Sequence, residues 1–225
     1  MTGVRLDLHV HSRHSPDSSL TVEEIVFGLR AANLNGFALT DHDTVAGHAE
    51  LAGWQARFPE LVLVPGVEVS TVEGHLLAYG ISEAPPAQRS VSATIDWVHD
   101  HGGVAVLAHP FRFSHGVGRT VAETARADGI ETVNAHNSSR ANRKAARVAS
   151  QRSLPATGAS DVHELVDLGR AYTEFALGTR GATAVVQAIR EGKATAGGTS
   201  LGWARRMRVQ WRSATLRARR GFRPI

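Results

Sequence analysis

The chain has 225 residues, of which 42% are hydrophobic and 20% are charged, a balance that excludes a wholly disordered protein and suits one domain with a full core. It contains no cysteine, so disulfides and thiolate metal sites are excluded, and any metal ion must be held by histidine, aspartate or glutamate. The net charge is +4, but residues 203–225 carry eight arginines and no acid, which leaves the rest of the chain at −4.

The chain shows no targeting or membrane signal. Its first residues do not combine a basic stretch with an apolar core, and no apolar run approaches the ~20 residues of a membrane-spanning helix. We therefore expect a cytoplasmic enzyme or binding protein.

Apolar strand-like runs alternate with helical patterns. Thr21-Val22-Glu23-Glu24 and Thr120-Val121-Ala122-Glu123 have the spacing of a capping box and predict a helix start at each. Strands are predicted at 4–10, 37–40, 61–69, 75–79, 104–108, 130–134 and 154–157. Further helices are predicted at 45–57, 92–101, 139–151 and 182–190, and the first helix is expected to stop at Gly36. This alternation favours an α/β fold with a parallel sheet in a nearly closed barrel; an open doubly wound sheet is the competing architecture.

Two histidines stand one residue apart at the end of the first predicted strand. Because residues two apart on a strand share a face, we expect Asp7, His9 and His11 to point into the barrel and Leu8 and Val10 toward the helices. Two imidazoles on one face can bind a metal ion. Taken alone, the motif equally fits two histidines on a polar strand face.

Four other predicted strands also end in residues that can bind metal. They lead into Asp41-His42-Asp43, Glu68, His109-Pro110 and Asp161-Val162-His163. The carboxyl ends of parallel strands form one shared mouth, so these side chains are expected to converge there. A network of buried His–Asp pairs without metal is the alternative.

The segments "DLHVHS", "TDHDT", "GVEVS", "AHP" and "SDVH", in this order, resemble the signature of the polymerase and histidinol phosphatase (PHP) family over about residues 4–190. The resemblance implies a distorted barrel of seven β/α units, similar to a TIM barrel. It also implies two or three divalent metal ions, usually zinc, manganese or iron, and cleavage of phosphate esters. We expect a metal-dependent phosphoesterase domain at 1–200 and an arginine-rich tail or helix at 201–225.

The resemblance also implies nine metal ligands. The first ion would be bound by His9, His11 and Asp161, the second by His75 and His109, and a third by Asp17, His42 and His163, with Glu68 bridging the first two. Two departures from the family pattern remove no ligand: the segment Gly158–Asp161 is one residue longer than usual, and Ser18 replaces the usual glycine.

Other polar residues near these motifs have several interpretations. Asp7 fits a partner that orients a ligand imidazole, and Asp43 fits a loop-capping or supporting residue close to the substrate. A surface β-turn is the alternative for His75. The remaining histidines, at positions 14, 48, 99, 101, 115 and 136, are predicted to be surface residues.

Clustered divalent ions suit phosphate esters because they offset the charge that repels hydroxide and ionise a water molecule near neutral pH. Glu68 and Asp161 would act in catalysis by holding the ions. Arg112, Arg140 or Arg143 would bind the phosphate oxygens, since a guanidinium pairs with phosphate at two points. The alternative for each arginine is a solvated surface residue.

The basic tail has its own pattern. Trp203, Met207 and Trp211 recur every four residues and predict an amphipathic helix. It could bind nucleic acid or an anionic surface, or pack on the barrel with its arginines in solvent.

Three functions remain open from the sequence. The first is a phosphatase for a small phosphorylated metabolite or nucleotide. The second is a nuclease that trims 3′ ends. The third, a non-catalytic regulatory or binding module, is disfavoured by the complete ligand set.

Overall fold

The computed structural model describes residues 3–221, and this part of the chain contains nine strands and seven α-helices. The strands are β1 (Val4–Val10), β2 (Gly36–Leu39), β3 (Val62–Ser70), β4 (His75–Tyr79), β5 (Val104–Leu107), β6 (Gly129–Asn134), β7 (Ala156–Ala159), β8 (Ala171–Phe175) and β9 (Thr195–Gly198). The helices are α1 (Val22–Gly28), α2 (His48–Arg57), α3 (Val91–Asp100), α4 (Gly118–Thr124), α5 (Ser139–Arg152), α6 (Gly181–Arg190) and α7 (Trp203–Arg219).

The nine strands form one sheet in the order β7-β6-β5-β4-β3-β2-β1-β8-β9. The pairs β1/β2, β2/β3, β5/β6 and β6/β7 are parallel, whereas β4, β8 and β9 run antiparallel to their neighbours. The sheet curls until β7 meets β8, where Thr173 Oγ1 donates to Gly158 O (2.8 Å) and accepts from Gly158 N (3.0 Å). The predicted α/β, nearly closed barrel is therefore confirmed.

The strand count differs from the prediction of seven. The sequence pattern missed β8, which pairs with β1, and β9, which pairs with β8. β9 consists of Thr-Ala-Gly-Gly and has no buried residue, so it carries no apolar signal. Strict β/α alternation also breaks where β3 and β4 form an antiparallel hairpin.

The two predicted capping boxes have different outcomes. At Thr21 the box is complete, with the hydroxyl accepting from Glu24 N and the Glu24 carboxylate accepting from Thr21 N, which confirms the start of α1. α1 nevertheless ends at Gly28, and turns follow it up to β2. The second box does not form, because α4 begins earlier, at Gly118, and Thr120 lies within its first turn.

Apolar residues fill the barrel and cover its outside. Along β3, Val62 and Val64 contact the cluster that includes α6, while Leu63 contacts the cluster under α1 and α2. α6 closes the end where the parallel strands begin, since Arg190 donates to the carbonyls of Gly102 and Gly103 just before β5. The opposite end, where the parallel strands finish, is left for polar side chains.

The prediction for the faces of β1 was partly wrong. Val10 belongs to the apolar cluster under α1 and α2, as expected. Leu8 does not face those helices; it belongs to the other cluster, which includes residues of α6. The pairing of β1 with β2 shifts register between Asp7 and Val10, which breaks the simple alternation of faces.

Among residues 3–221, no helix is both long and apolar enough to cross a bilayer. The division into units at 1–200 and 201–225 stays a prediction, and residues 222–225 of its second unit lie outside the described part of the chain.

We predict that Gly158→Ala destabilises the protein by about 1–3 kcal/mol, because an added Cβ would lie 2.5 Å from the carbonyl oxygen of Tyr172 where the barrel closes. Gly53→Ala is the matched control, since Gly53 lies within α2 and a Cβ there meets nothing within 4 Å. That change should leave stability unchanged or raise it by up to ~1 kcal/mol. Urea unfolding of both variants is the measurement, and equal stabilities would contradict the close approach of β7 to β8.

Candidate metal centre

The carboxylate of Glu68 lies at the centre of a histidine cluster. It is 1% exposed and comes from β3. Its Oε1 lies 2.8 Å from His75 Nδ1 and 2.9 Å from His109 Nε2. Its Oε2 lies 3.1–3.3 Å from the Nε2 atoms of His9, His11 and His42. Five imidazoles from four parts of the sequence thus surround one buried carboxylate, as expected for a group that bridges metal ions.

Asp161 forms a second centre beside Glu68. Its Oδ1 lies 3.3 Å from His11 Nε2 and 3.6 Å from both His9 Nε2 and His163 Nδ1. Its Oδ2 accepts from Arg112 Nη2. His9 and His11 therefore face both carboxylates.

Asp17 forms a third centre in the loop after β1. Its Oδ2 lies 3.0 Å from His163 Nε2, 3.2 Å from His42 Nε2 and 2.6 Å from Arg217 Nη2. The hydroxyl of Ser15 donates to its other oxygen, at 2.7 Å. The nine residues that the resemblance marks as ligands thus occupy one continuous site.

Backbone hydrogen bonds beyond the strand ends hold these residues in place. His11 N donates to Val162 O (3.1 Å), and Val162 N donates to His9 O (3.0 Å), which ties β1 to the segment after β7. Asp43 N donates to Glu68 O at 3.0 Å. Parallel pairing therefore continues into the site and sets its geometry.

Three non-glycine residues at strand ends have positive φ. They are Asp43 (φ +53°), His109 (φ +27°) and Asp161 (φ +59°). Such conformations cost on the order of 1–3 kcal/mol each and persist where the surroundings enforce them. The Asp43 carboxylate accepts from Ser70 N (2.7 Å), in agreement with its predicted loop-capping role.

The donor set fits divalent metal ions. Four overlapping groups of three residues each place one donor atom per residue within 4.8 Å of the others: His9–His11–Asp161, His9–Glu68–His109, His11–Asp17–His163 and His11–His42–Glu68. Within residues 3–221, the buried Nε2 atoms of His9 and His11 form no well-aligned hydrogen bond, although carboxylate oxygens of Glu68 and Asp161 lie 3.1–3.6 Å away. Buried polar atoms are normally paired, so these nitrogens are suited to a metal ion.

The ionisable groups of the site strongly shift one another's pKa values. Burial opposes charge on His9 and His11, but the facing carboxylates outweigh it and raise the pKa of His9 well above its usual value and that of His11 to about 10. Burial would raise the pKa values of Glu68 and Asp161, yet nearby cationic groups hold both well below their usual range. The site is thus built around carboxylates that are ionised and compensated.

Glu131 is the supporting residue that the sequence analysis missed. It is buried on β6, and its Oε1 lies 3.1 Å from His9 Nδ1. Its Oε2 accepts from His109 N (2.8 Å) and Asn134 Nδ2 (3.0 Å). In the neutral imidazole, a carboxylate at Nδ1 keeps the proton there and turns the Nε2 lone pair of His9 toward the site. An acid inside the apolar run Ile130–Val133 was the available signal.

Asp7 does not have the orienting role predicted for it. Its carboxylate accepts from the backbone N–H groups of Ser160 (2.9 Å) and Gly169 (3.1 Å) and contacts no ligand imidazole. Its only bond to His9 comes from the backbone N–H, at 3.4 Å. Burial raises the pKa of Asp7 to about 6, although these hydrogen bonds lower it. Asp7 therefore ties β1 to the segment between β7 and β8.

Only one of the three candidate arginines reaches the site. Arg112 Nε donates to Asn137 Oδ1 (3.1 Å) and its Nη2 donates to Asn134 and Asp161. Arg140 and Arg143 are exposed on α5 and do not line the cavity above the ligands. The first turns of α5 direct these two side chains to solvent, so the structure does not support their predicted contact with phosphate.

The histidines for which the sequence suggested a surface position are not all exposed. His75 begins β4 and is buried, so its alternative as a surface turn residue is wrong. His136 is buried and lines the cavity, where burial lowers its pKa to about 3. His115 also lines the cavity and stacks on His75 with ring centroids 4.7 Å apart. His101 is exposed, as predicted.

Helix α7 lies across the mouth of the site. The predicted amphipathic helix is present. The alternative in which it packs on the barrel with its arginines in solvent is wrong about the arginines, because several of them face the barrel. Trp203 and Trp211 are instead 70% and 73% exposed. Contacts to the barrel come from Arg205, Arg206, Arg212, Arg217 and Arg220. Arg223, which belongs to the same basic segment, lies outside the described residues.

A cavity of about 350 Å³ lies between the ligands and α7. Its floor includes Asp17, Glu68 and Asp161, and Arg112 lies at its side. The α7 wall consists of Val209, Gln210, Ser213, Ala214, Arg217 and Ala218. The cavity therefore has room for a small molecule against the ligand cluster.

This barrel and its carboxylate-centred histidine cluster are those of a metal-dependent phosphoesterase. The PHP domain model matches residues 7–91 and the PHP-associated model matches residues 139–194, so the chain belongs to the PHP family.

The chain is also similar to individual proteins. A 3′,5′-nucleoside bisphosphate phosphatase of Chromobacterium violaceum is 42% identical over 86 residues, covering 36% of this chain and 30% of the relative. A 5′-3′ exoribonuclease of Haemophilus influenzae is 44% identical over 69 residues, covering 30% of this chain and 24% of the relative. The crystal structure of PsfC from Pseudomonas syringae superposes with a TM-score of 0.71 at 17% identity, covering 97% of this chain and 99% of PsfC. The chain thus spans less than a third of these two sequence relatives, while its fold superposes on nearly the whole of PsfC.

We predict that Glu131→Gln lowers metal affinity by about 10–100-fold, because a carboxylate behind a ligand imidazole fixes its tautomer and raises its basicity. A competition titration of the apoprotein against a chromogenic chelator measures this. Glu174→Gln is the matched control, since Glu174 lies on β8 and forms a surface ion pair with Arg5 of β1. Equal affinities of the two variants would show that Glu131 does not support a metal ligand.

Proposed function

We propose that the chain hydrolyses small phosphate monoesters, such as a phosphorylated metabolite or a nucleotide, at a site of two or three divalent metal ions. The single observation that carries this proposal is the convergence of five imidazoles on the buried carboxylate of Glu68. Such a bridging carboxylate suits ions roughly 3.5–4 Å apart, the separation used in two-metal hydrolysis. A nitrogen and oxygen donor set is compatible with zinc, iron or manganese.

The three centres suggest how the ions are shared. His9, His11 and Asp161 would hold the first, His75 and His109 the second with Glu68 between them, and Asp17, His42 and His163 a third. Bound ions would supply neutralisation of the phosphate charge and ionisation of a water molecule near neutral pH. His9 is oriented for this role by Glu131, and His11 is fixed by its backbone bond to Val162.

Arg112 would bind and orient the phosphate. Asn137 and Asn134 hold its Nε and Nη2, and Asp161 accepts from Nη2. Within the described residues its Nη1 has no hydrogen-bond partner, and the side chain lines the cavity. An anchored guanidinium with one amino group free is suited to a phosphate oxygen. Arg140 and Arg143 have no part in this proposal because they lie outside the cavity.

The cavity supports a small substrate. Its volume of about 350 Å³ is at the lower end of the ~300–1,000 Å³ of small-molecule sites, and α7 forms a wall over it. Removal of a terminal nucleotide is the second candidate function. It is favoured by the match to an exoribonuclease, over a segment that includes less than a third of this chain.

A substrate panel separates these candidates. The metal-loaded protein would be assayed with p-nitrophenyl phosphate, mononucleotides and short single-stranded oligonucleotides with manganese present. Turnover of the monoesters and intact oligonucleotides are expected, and release of mononucleotides from oligonucleotides would favour the nuclease instead. Elemental analysis after purification without chelator should give at least two equivalents of transition metal per chain. Fewer than two would contradict the proposed site.

We predict that Glu68→Gln lowers kcat/KM on mononucleotides by at least ~100-fold, because it removes the bridging charge that holds two ions together. Steady-state kinetics and elemental analysis on the same preparation would show both losses. Glu60→Gln is the control, since Glu60 is exposed in the turn after α2 and should change neither quantity. Full activity of Glu68→Gln would rule out the proposed mechanism.

A further inference from the structure

The arginines of α7 clamp the helix over the cavity. Arg205 donates to Glu164 and Asp167, and Arg212 donates to Glu164. Beyond them, Arg220 donates to Ser15 O at 2.7 Å. Contacts at both ends of α7 therefore fix the helix, so the residues between them are held at a constant position over the ligands.

Arg217 is the α7 arginine that reaches the ligand cluster. Its side chain is 17% exposed. Its Nη2 lies 2.6 Å from both Asp17 Oδ2 and His42 Nε2, and its Nε lies 3.2 Å from the same Asp17 oxygen. Among residues 3–221 its Nη1 has no hydrogen-bond partner. The contacts of Nε and Nη2 therefore fix the orientation of the Arg217 guanidinium and leave Nη1 available for another acceptor.

Arg112 and Arg217 are arranged alike. Each is held through Nε and Nη2 by polar groups of the site, each retains a free Nη1 with respect to the described residues, and both line the same cavity. They come from different parts of the chain, the loop after β5 and α7. Two fixed guanidinium groups beside a set of metal ligands form a recognition site for the oxygens of a phosphate.

We propose that Arg217 binds the substrate phosphate together with Arg112, and that α7 forms the wall against which the leaving group lies. This inference rests on the proposed phosphatase function and narrows its substrates. Val209, Ala214 and Ala218 give the wall an apolar character, and Gln210 and Ser213 add hydrogen-bonding groups. The substrate is a small phosphomonoester with a compact, partly apolar leaving group.

A purely structural role for Arg217 would give different results. If Arg217 only tethered α7 to Asp17, its replacement would affect stability and leave the affinity for phosphate unchanged. If it served as a cation beside Asp17 in place of a metal ion, its replacement would raise the number of ions bound. Phosphate affinity and metal content therefore distinguish the three roles without relying on turnover.

The test compares Arg217→Met, Arg217→Lys and Arg208→Met, each loaded with metal. Arg208 is the matched control because it is exposed on α7 and makes no ion pair within the described residues. Calorimetric titration with inorganic phosphate should show affinity weakened about 10–100-fold in Arg217→Met, in line with loss of a charged hydrogen bond. Arg217→Lys should be weakened less, because it keeps the charge but loses the planar fork. Arg208→Met should match the wild type.

Each other outcome would overturn the inference. Unchanged phosphate affinity in Arg217→Met would reduce Arg217 to a tether, and a higher metal content would make it a cation partner of Asp17. Circular dichroism at the assay temperature checks the fold; if Arg217→Met is unfolded, a wild-type affinity in folded Arg217→Lys would also overturn the inference. Failure of the wild type to bind two ions or to hydrolyse any monoester would instead contradict the proposed function itself.

The wall has an independent test in Ala214→Trp. The added ring should lower kcat/KM on a mononucleotide by at least ~10-fold more than on glycerol phosphate, because it occupies space for the larger leaving group and leaves the phosphate subsite intact. Phosphate affinity should stay as in the wild type. An equal effect on both substrates would show that the leaving group does not lie against α7.

Discussion

The structure depends on how the negative charge of carboxylates buried in the barrel is compensated. Burying an isolated carboxylate costs far more than a folded protein can tolerate, so Glu68, Asp161 and Asp17 require cationic or hydrogen-bonding partners at once. Those partners come from β1, β4, the loops after β2 and β5, and the segment after β7. One requirement of electrostatics thus unites distant parts of the sequence. It also explains why the polar residues gather at one end of the sheet while α6 seals the other with apolar residues.

Compensation extends beyond the barrel itself. Asp17 is paired not only with histidines but with Arg217 from α7, so the last described helix is held by the same charges as the ligands. Glu164 and Asp167, which follow His163, hold α7 at the other end through Arg205. Trp203 and Trp211 face away from the barrel as a consequence, because arginines share the inner surface of α7 with smaller residues such as Val209. The positive charge of α7 therefore offsets negative charge on the rest of the same chain.

Much of the site could be predicted from the sequence, because metal-binding side chains at strand ends are set by local order along the chain. His9 and His11 at the end of β1 and Glu68 near the end of β3 needed no knowledge of long-range packing. Glu131 escaped because a buried acid within a strand gains its meaning from a histidine 122 residues away. The inward face of α7 escaped for a related reason: arginine is read as a solvent-facing residue unless the acids opposite it are known. β9 escaped because a short strand with two glycines and no buried residue carries no apolar pattern.

The left-handed backbone at Asp161 and His109 has a consequence for the history of such a chain. Glycine would relieve the conformational cost at either position, yet it would also delete a donor from the centre. Selection for robustness alone would therefore remove these side chains first, and selection for chemistry keeps them at the expense of robustness. Descendants that lost their catalytic task would be expected to relax here, and glycine at these two strand ends would mark such a lineage.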